Sequence, residues 1–457
     1  MTREPRSITR QMERLIESAL MPGRYISHHA DLSFVEELGA VEKQLAKLIS
    51  TDPAQAVSLY ETFLAGCYEK AEEIDGSSGG FGQFVGELYC GWIKARQAAG
   101  ADPEETAARL LAWMEDDPYG FCYRLEEDAA KAFNRAGLAA FVKQIRARLD
   151  AAATSAPRPG QPVGHSPDSV RRRWAGILRT LYLRRKNIAA YLALAEEMGL
   201  TPEDCHALAS MLAARRKTEE ALSWVERGIA LAKQARHSSM AGYDLAALKR
   251  VLLAKLGRAE EALDAAWGEY REHPSKYSYD DLMKYVPEAE RGVWHEKAIE
   301  AATGADLHAL IELLLETKEL ERLAKIVRRS TDDALAGVTH YATEPAAKTL
   351  EKSHPDVAAR LWCAQGMRIL NAKKSKYYDA AVSNFDRARR CFEKAGGIAY
   401  WQRVVEKVRS EHHRKTGFMS GFEGVVAGSG RTEKPSFLER AKRRWGKAAA
   451  ARIIVDE

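Results

Sequence analysis

Residues 215–222 and 256–263 read RRKTEEAL and LGRAEEAL, so the chain repeats a polar turn, two glutamates and the pair Ala-Leu. The alanines of the two copies, Ala221 and Ala262, lie 41 residues apart. A weaker third copy, KYYDAAV at 376–382, places Ala381 119 residues after Ala262, close to three such steps. Self-similarity at this period is typical of stacked helical hairpins, each of which buries its apolar face against the next. The repeat therefore predicts hairpins whose helices cross at these alanines.

The copies resemble the tetratricopeptide repeat. The second copy has Gly257 at the turn, and Pro274 follows Ala262 by twelve residues, where that repeat ends its second helix. Four residues of the third copy have the spacing of the repeat's Tyr/Ala/aromatic/Ala pattern: Tyr378, Ala381, Phe385 and Ala388. The copies depart from the repeat at Lys249 and Arg250, which replace a Leu-Gly pair, and at Arg216, which replaces the turn glycine. The resemblance implies an all-α fold, an α-α solenoid of tetratricopeptide-like helical hairpins preceded by an N-terminal helical domain.

The overall composition also favours helix. Hydrophobic residues make up 46% of the chain and charged residues 29%, and Ala, Leu, Glu, Lys and Arg are abundant. No run of 18 apolar residues occurs, so we expect no membrane span. Charged residues such as Arg10, Glu13 and Arg14 interrupt any signal-peptide core near the start. These features predict a cytoplasmic protein.

We predict four regions. Residues 1–150 form an N-terminal all-helical domain, 151–167 a Pro/Gly-rich linker, 168–415 the helical-hairpin solenoid, and 416–457 a Gly-rich segment and basic tail. Four helix starts combine a capping side chain with proline at the first helical position: Asp52-Pro53, Asp102-Pro103, Ser166-Pro167 and Thr201-Pro202. After Lys415, repeated glycines argue against a helix; they are Gly417, Gly421, Gly424, Gly428 and Gly430.

No catalytic set is visible in the sequence. Metalloprotease, nucleophile-elbow and kinase signatures are absent, and the six cysteines never form C-x-C or C-x-x-C. We therefore predict reduced, mostly buried thiols, no cofactor and no metal, and a non-enzymatic protein. An enzyme whose site forms only in three dimensions stays open as an alternative.

Positive charge is concentrated at the C-terminal end, where residues 366–457 contain 21 Lys and Arg against 10 Asp and Glu. Lysines and arginines can bind a phosphate backbone, and aromatic rings can stack on unpaired bases. The candidate residues for binding a partner or nucleic acid are Lys373, Lys374, Lys376, Tyr377, Arg387, Arg389, Arg390, Arg443 and Arg444. The alternative is a solvated helix face whose Tyr378, Phe385 and Trp401 belong to the core.

The C-terminal part resembles the helical region that follows the zinc-binding module in bacterial SWIM zinc-finger proteins. The similar stretches are KSKYYDAA at 374–381 and RSEHHRK at 409–415, while the zinc ligands of that module are absent. The whole chain also resembles a bacterial family of uncharacterised, all-helical proteins of similar length. These resemblances imply a helical scaffold, and we expect a non-enzymatic helical-repeat protein that mediates protein-protein interaction. The alternative is a nucleic-acid-associated accessory protein that uses the C-terminal basic hairpin and tail.

Overall fold

Helices make up the regular secondary structure of a computed structural model that describes residues 5–154, 166–234 and 240–428. Within these ranges the only extended pairing is one bridge between Ile26 and Ile74. The α-helices are α1 Pro5–Leu20, α2 Asp31–Thr51, α3 Pro53–Lys70, α4 Gly80–Ala98, α5 Pro103–Glu115, α6 Leu125–Ala132, α7 Arg135–Thr154, α8 Pro167–Arg184, α9 Ile188–Met198, α10 Pro202–Ala214, α11 Thr218–Gln234, α12 Met240–Lys255, α13 Ala259–Glu272, α14 Lys276–Met283, α15 Arg291–Ala301, α16 Leu307–Glu316, α17 Leu320–Arg329, α18 Asp332–Gly337, α19 His340–Leu350, α20 Pro355–Asn371, α21 Tyr378–Ala395, α22 Ile398–His412 and α23 Thr416–Val426. The predicted all-α fold of tetratricopeptide-like helical hairpins is confirmed.

The four predicted cap-and-proline signals all start helices. Each capping side chain accepts a hydrogen bond from the backbone N–H three residues later, at 3.1 Å for Asp52 and Asp102, 3.3 Å for Ser166 and 3.2 Å for Thr201. Proline occupies the first helical position in each case, where its missing N–H costs nothing. These local signals therefore fixed the starts of α3, α5, α8 and α10.

Five hairpin turns share one backbone conformation, although only one of them contains glycine at the key position. The residues with positive φ, between 51° and 75°, are Lys186, Arg216, Gly257, Lys318 and Lys373. At the second turn the N–H of Lys217 donates to the carbonyl of Leu212 at 3.1 Å, and at the third the N–H of Arg258 donates to Leu253 at 3.0 Å. Such bonds close the last turn of a helix and satisfy its free carbonyls. The structural repeat thus extends to 305–330 and 355–395, where the sequence phrase is weak.

The chain divides into two compact units, residues 1–252 and 253–457. In the first unit one core combines side chains of α1–α7 with Trp174, Leu178 and Leu181 of α8. Of the predicted linker 151–167, residues 151–154 end α7, residues 155–165 lie outside the described residues, and α8 begins at Pro167. The boundaries of the four predicted regions stay predictions.

Small residues lie at the predicted crossings. Ala221, Ala262 and Ala381 are all fully buried. In the second unit α20 and α21 pack closely along each other, and a Cβ added at Gly366 would lie 2.6 Å from a ring carbon of Phe385. The absence of side-chain bulk on α20 therefore sets how closely these two helices approach.

The prediction of no helix after Lys415 was wrong, because residues 416–426 form α23. This helix buries Phe418, Phe422 and Val425 against α21. A Cβ added at Gly421 would lie 3.0 Å from Val382, so one of the helix-disfavouring glycines is what lets α23 approach α21. Tertiary burial of apolar side chains outweighs the cost of about 1 kcal/mol per helical glycine.

Candidate interaction surface

Two turns of the second unit bring unpaired positive charges together. The α20–α21 turn carries Lys373, Lys374 and Lys376, and the α22–α23 turn carries Arg414 and Lys415. We call these five residues the basic turn cluster. The turns are neighbours because the rings of Tyr378 and Phe418, at the starts of α21 and α23, are packed with centroids 5.9 Å apart.

The charges of this cluster are not matched by acids of the described chain. Lys373, Lys374, Lys376 and Arg414 are exposed, and among the described residues none of them forms an ion pair. Partial desolvation, together with the neighbouring ammonium of Lys373, lowers the pKa of Lys415, although Glu411 opposes this shift. The contribution of Lys373 to this shift shows that the two turns are close enough for their positive charges to repel each other, a repulsion that an anion would relieve.

Backbone N–H groups add to the positive potential of the cluster. The residues that precede α21 and α23, Tyr377 and Lys415, make no side-chain capping hydrogen bond. The first N–H groups of a helix lack intrahelical partners and carry partial positive charge. The first turn of α21 also contains one acid, Asp379. The cluster therefore combines five cations with two helix N-termini, and Asp379 offsets part of the positive charge at the start of α21.

Tyr377 supplies an aromatic face at the edge of the cluster. Its side chain is 46% exposed, and Nζ of Lys376 lies 4.9 Å from the centroid of its ring. An exposed tyrosine next to lysines suits contact with a partner, since the ring adds apolar area at low entropic cost.

The predicted arginines of α21 are not part of this cluster. Arg387 lies nine residues beyond Tyr378, roughly 13 Å further along the helix, and its guanidinium covers the ring of Trp362 at 4.6 Å. Arg389 and Arg390 both pair with the buried carboxylate of Asp386, and Arg389 also pairs with Glu393. The charges of Arg389 and Arg390 are largely neutralised within α21. Arg443 and Arg444 lie outside the described residues.

Two cations of α22 are also paired with acids. Lys407 pairs with Asp333 at 3.0 Å, and Arg409 pairs with Glu423 at 2.6 Å. Trp401 and Phe385 are buried, and Tyr378 is half-buried, in agreement with the core interpretation of these rings. Among the described residues, Arg387, Lys394 and Arg403 also lack an ion pair, so unpaired positive charge is densest at the two turns and continues more sparsely along α21 and α22.

A partly buried arginine holds the helices that carry the cluster. Arg360 of α20 donates to the carbonyls of Val327 at 2.6 Å and Ser330 at 2.6 Å, and to the carboxylate of Asp332 at 2.7 Å. The hydroxyl of Tyr400 on α22 also donates to Asp332 at 2.6 Å. Partial desolvation opposes ionisation of Asp332, yet the hydrogen bonds from Tyr400 and Arg360 keep its pKa below the usual range. The network fixes α22 relative to α20, which positions the two turns.

Sequence reasoning identified the three lysines and Tyr377 but missed Arg414 and Lys415. The available signal is the basic stretch RSEHHRK at 409–415. Its contact with the α20–α21 turn depends on α22 and α23 packing back onto α21, which no local pattern reveals.

The remaining chemistry of the described chain points to structural roles. Burial raises the pKa of the Cys90 thiol to about 11 and that of Cys122 to about 12, which disfavours the nucleophilic thiolate. His295, Glu296 and Glu319 lie close together, but Arg322 pairs with Glu296 at 2.6 Å and with Glu319 at 3.5 Å. This guanidinium already compensates both carboxylates, so we assign no metal there.

A cleft of 530 Å³ lies in the first unit between α4 and the turn at 119–125. Its wall is open along α4 because Gly79, Gly82 and Gly86 carry no side chains. Among the described residues that line it there is one carboxylate, Asp128, and no histidine or cysteine. The cleft therefore lacks a nucleophile with an adjacent base.

A family model described as a family of unknown function, DUF6880, matches residues 4–420. The chain belongs to this family. The expectation of an uncharacterised, all-helical family is thereby confirmed. The resemblance of the C-terminal part of this DUF6880 member to SWIM zinc-finger proteins has no counterpart in these findings and stays a prediction.

Two solved structures resemble this DUF6880 chain distantly. A structure of Naa15/Naa10 bound to HypK-THB is 16% identical, with a TM-score of 0.34, and the match covers 93% of this chain and 69% of that chain. A circular tandem repeat protein with novel repeat topology and enhanced subunit contact surfaces is 13% identical, with a TM-score of 0.19, over 93% and 98% of the two chains. No curated protein matches. At these TM-scores neither structure supports a conclusion about this chain.

None of the described helices of this family member is both long enough and apolar enough to cross a membrane.

Proposed function

We propose that the protein is a non-enzymatic helical-repeat scaffold that mediates protein-protein interaction, and that the basic turn cluster contacts an acidic segment of its partner. The observation that carries the proposal is the set of exposed, unpaired cations at two adjacent turns, with Tyr377 beside them. Charge complementarity of this kind guides association and selects partners. We further propose that this interaction takes place in the cytoplasm.

The concentration of unpaired cations at two turns supports a protein partner over nucleic acid. A nucleic acid presents a long track of phosphates, and its binding proteins usually offer cations along a whole face or groove. Here Arg389, Arg390 and Lys407, which would extend such a track, are paired with Asp386, Glu393 and Asp333. A compact cluster at two turns fits a short acidic segment better.

Nucleic acid is the second candidate, and a specific observation supports it. Lysines next to an exposed tyrosine, at the ends of two uncapped helices, could bind phosphates while the ring stacks on a base. The basic tail at 431–457 would add further cations. In this alternative the protein is a nucleic-acid-associated accessory protein.

The decisive experiment compares two triple charge reversals in the full chain. Lys373→Glu/Lys374→Glu/Lys376→Glu removes the cluster, whereas Lys255→Glu/Lys325→Glu/Lys352→Glu changes net charge equally at exposed lysines without ion pairs among the described residues. Tagged proteins are purified from native cells, with and without nuclease, and the bound proteins are identified. In parallel, binding to labelled single-stranded RNA is measured at increasing salt.

For a protein scaffold we expect the same partner to be recovered with the wild type and the control, to be lost with the cluster variant, and to resist nuclease. Loss of the partner on nuclease treatment, together with RNA binding that weakens steeply with salt, would establish the nucleic-acid alternative. Identical partners for both variants would show that the cluster is not the contact surface.

A further inference from the structure

A second surface, on α13 and α15, holds a cation between two tryptophans. The indole rings of Trp267 and Trp294 are half-buried and meet edge to face, with centroids 5.5 Å apart. Nζ of Lys297 lies 4.5 Å from the centroid of Trp267 and 4.0 Å from that of Trp294. We call Trp267, Trp294, Lys297 and the neighbouring Glu290 and Val293 the tryptophan surface.

The rings, and not a carboxylate, stabilise this ammonium group. Among the described residues Lys297 forms no ion pair, so the electron-rich ring faces provide its attraction. Glu290 accepts a hydrogen bond from Nε1 of Trp294 at 3.1 Å and also has no cationic partner within the described chain. A carboxylate at the indole edge makes the site more attractive to a positive charge.

The stretch of chain that contains these residues is acidic overall. Residues 253–300 contain 11 Asp and Glu against 7 Lys and Arg. Val293, next to Trp294, is 72% exposed. A Cβ added at Gly268, next to Trp267, or at Gly292 would meet nothing within 4 Å. The space beside these two glycines is therefore open to an incoming chain, and Lys297 is the side chain that covers the rings.

We propose that the tryptophan surface binds a basic segment of a protein partner, with an arginine or lysine side chain replacing Lys297 over the two rings. Lys297 is exposed and has no ion pair to break, so it can move into water when a second cation arrives. Trp and Arg dominate the energetics of protein interfaces, and planar guanidinium groups stack well on indoles. This surface is independent of the basic turn cluster, since it lies on other helices and its one cation, Lys297, is accompanied by the carboxylate of Glu290.

The test uses a fluorescein-labelled peptide of alternating glycine and arginine, and a matched peptide in which citrulline replaces arginine. Citrulline keeps the shape of the side chain and removes its charge. Fluorescence anisotropy is measured with the full-length wild type, Trp294→Leu, Lys297→Met and, as a control at an exposed lysine outside the tryptophan surface, Lys255→Met. Circular dichroism checks that each variant is folded.

We expect the arginine peptide to bind the wild type and Lys255→Met alike, and to bind Trp294→Leu about tenfold more weakly. Lys297→Met removes the competing internal cation, so its affinity should rise about threefold. The citrulline peptide should not bind. Equal binding of both peptides, no binding of either, or an affinity unchanged by Trp294→Leu or Lys297→Met would overturn the proposal.

Two further outcomes would assign the surface to another occupant and likewise overturn the proposal. A wild-type dimer that Trp294→Leu converts to a monomer in sedimentation experiments would identify a second copy of the chain. If the Arg443→Glu/Arg444→Glu variant bound the arginine peptide more tightly than the wild type does, the occupant of the surface would be the chain's own basic tail.

Discussion

Gly366 shows, at the scale of a single residue, how the packing of α20 against α21 depends on one missing methyl group. The nearest atoms to a Cβ at this position belong to the fully buried ring of Phe385, at 2.6 to 3.0 Å. Contacts that short require a buried ring to move. In contrast, a Cβ at Gly268 on α13 would meet nothing within 4 Å.

Gly366→Ala should therefore destabilise the protein by about 1 to 3 kcal/mol, although alanine is the better helix former. Gly268→Ala should stabilise it by up to about 1 kcal/mol, because only helix propensity changes. Urea denaturation of both variants measures the free energies of unfolding. If both substitutions changed the free energy of unfolding in the same direction, the close approach of α20 and α21 at Gly366 would be contradicted.

Ala262 and Glu260 test the repeat itself. Ala262 is fully buried and Glu260 is exposed, as the register of the phrase AEEAL requires. Ala262→Arg forces a charge into space for a methyl group and should destabilise by on the order of 3 kcal/mol or more. Glu260→Arg should change the free energy of unfolding by less than about 0.5 kcal/mol. Similar urea midpoints for the two variants would contradict the hairpin register.

At the scale of helices, the network around Arg360 joins the end of α17 and the start of α18 to α20 and α22. Its guanidinium satisfies backbone carbonyls that α17 leaves free, which a lysine could not do with the same geometry. The hydroxyl of Tyr400 adds α22 through Asp332, and burial together with this carboxylate raises the pKa of Tyr400 to about 12.

The pKa of Asp332 gives this network a pH dependence. Because its folded pKa lies below the ordinary value near 3.9, the carboxylate stabilises the fold above that value and loses this contribution as pH falls through and below it. Asp332→Asn should therefore be less stable than wild type at pH 6, and the difference should shrink toward pH 3. Urea titrations at both pH values measure it.

Asp264→Asn, at an exposed residue of α13 without an ion pair in the described chain, is the control for the carboxylate change. A difference between wild type and Asp332→Asn that stays constant from pH 6 to pH 3 would show that ionisation of Asp332 does not stabilise the network.

At the scale of the whole molecule, the six cysteines report on both compact units at once. All are free thiols; Cys90 is half-buried and the other five are buried. Burial raises the pKa of each of them. Since the thiolate is the reactive form, both access and ionisation oppose modification in the folded state.

We expect dithionitrobenzoate to label the native protein slowly at pH 8, with Cys90 reacting first, and to label all six thiols within seconds in urea. Cys90→Ser should remove the earliest native phase. Several thiols reacting in a rapid native phase would contradict the packing of one or both units.

The sequence by itself determined the helical class, the starts of four helices and the small crossing positions, because each of these depends on residues within a few turns of one another. A capping side chain acts three residues away, and the AEEAL register places Ala262 on the buried face of its own helix. The three lysines and Tyr377 could be found for the same reason, since they share one turn.

Only the tertiary structure decided the rest. The Gly-rich segment 416–426 is helical in the tertiary structure because its side chains Phe418 and Phe422 are buried against α21. The tertiary structure brought Lys415 close to Lys373, and it paired Lys407 with Asp333, 74 residues away in the chain. It also brought Trp267 and Trp294 together from different helices. These contacts join residues far apart in the chain, so local patterns could not specify them, whereas the pairs of Arg389 and Arg390 with Asp386 at i, i+3 and i, i+4 are local.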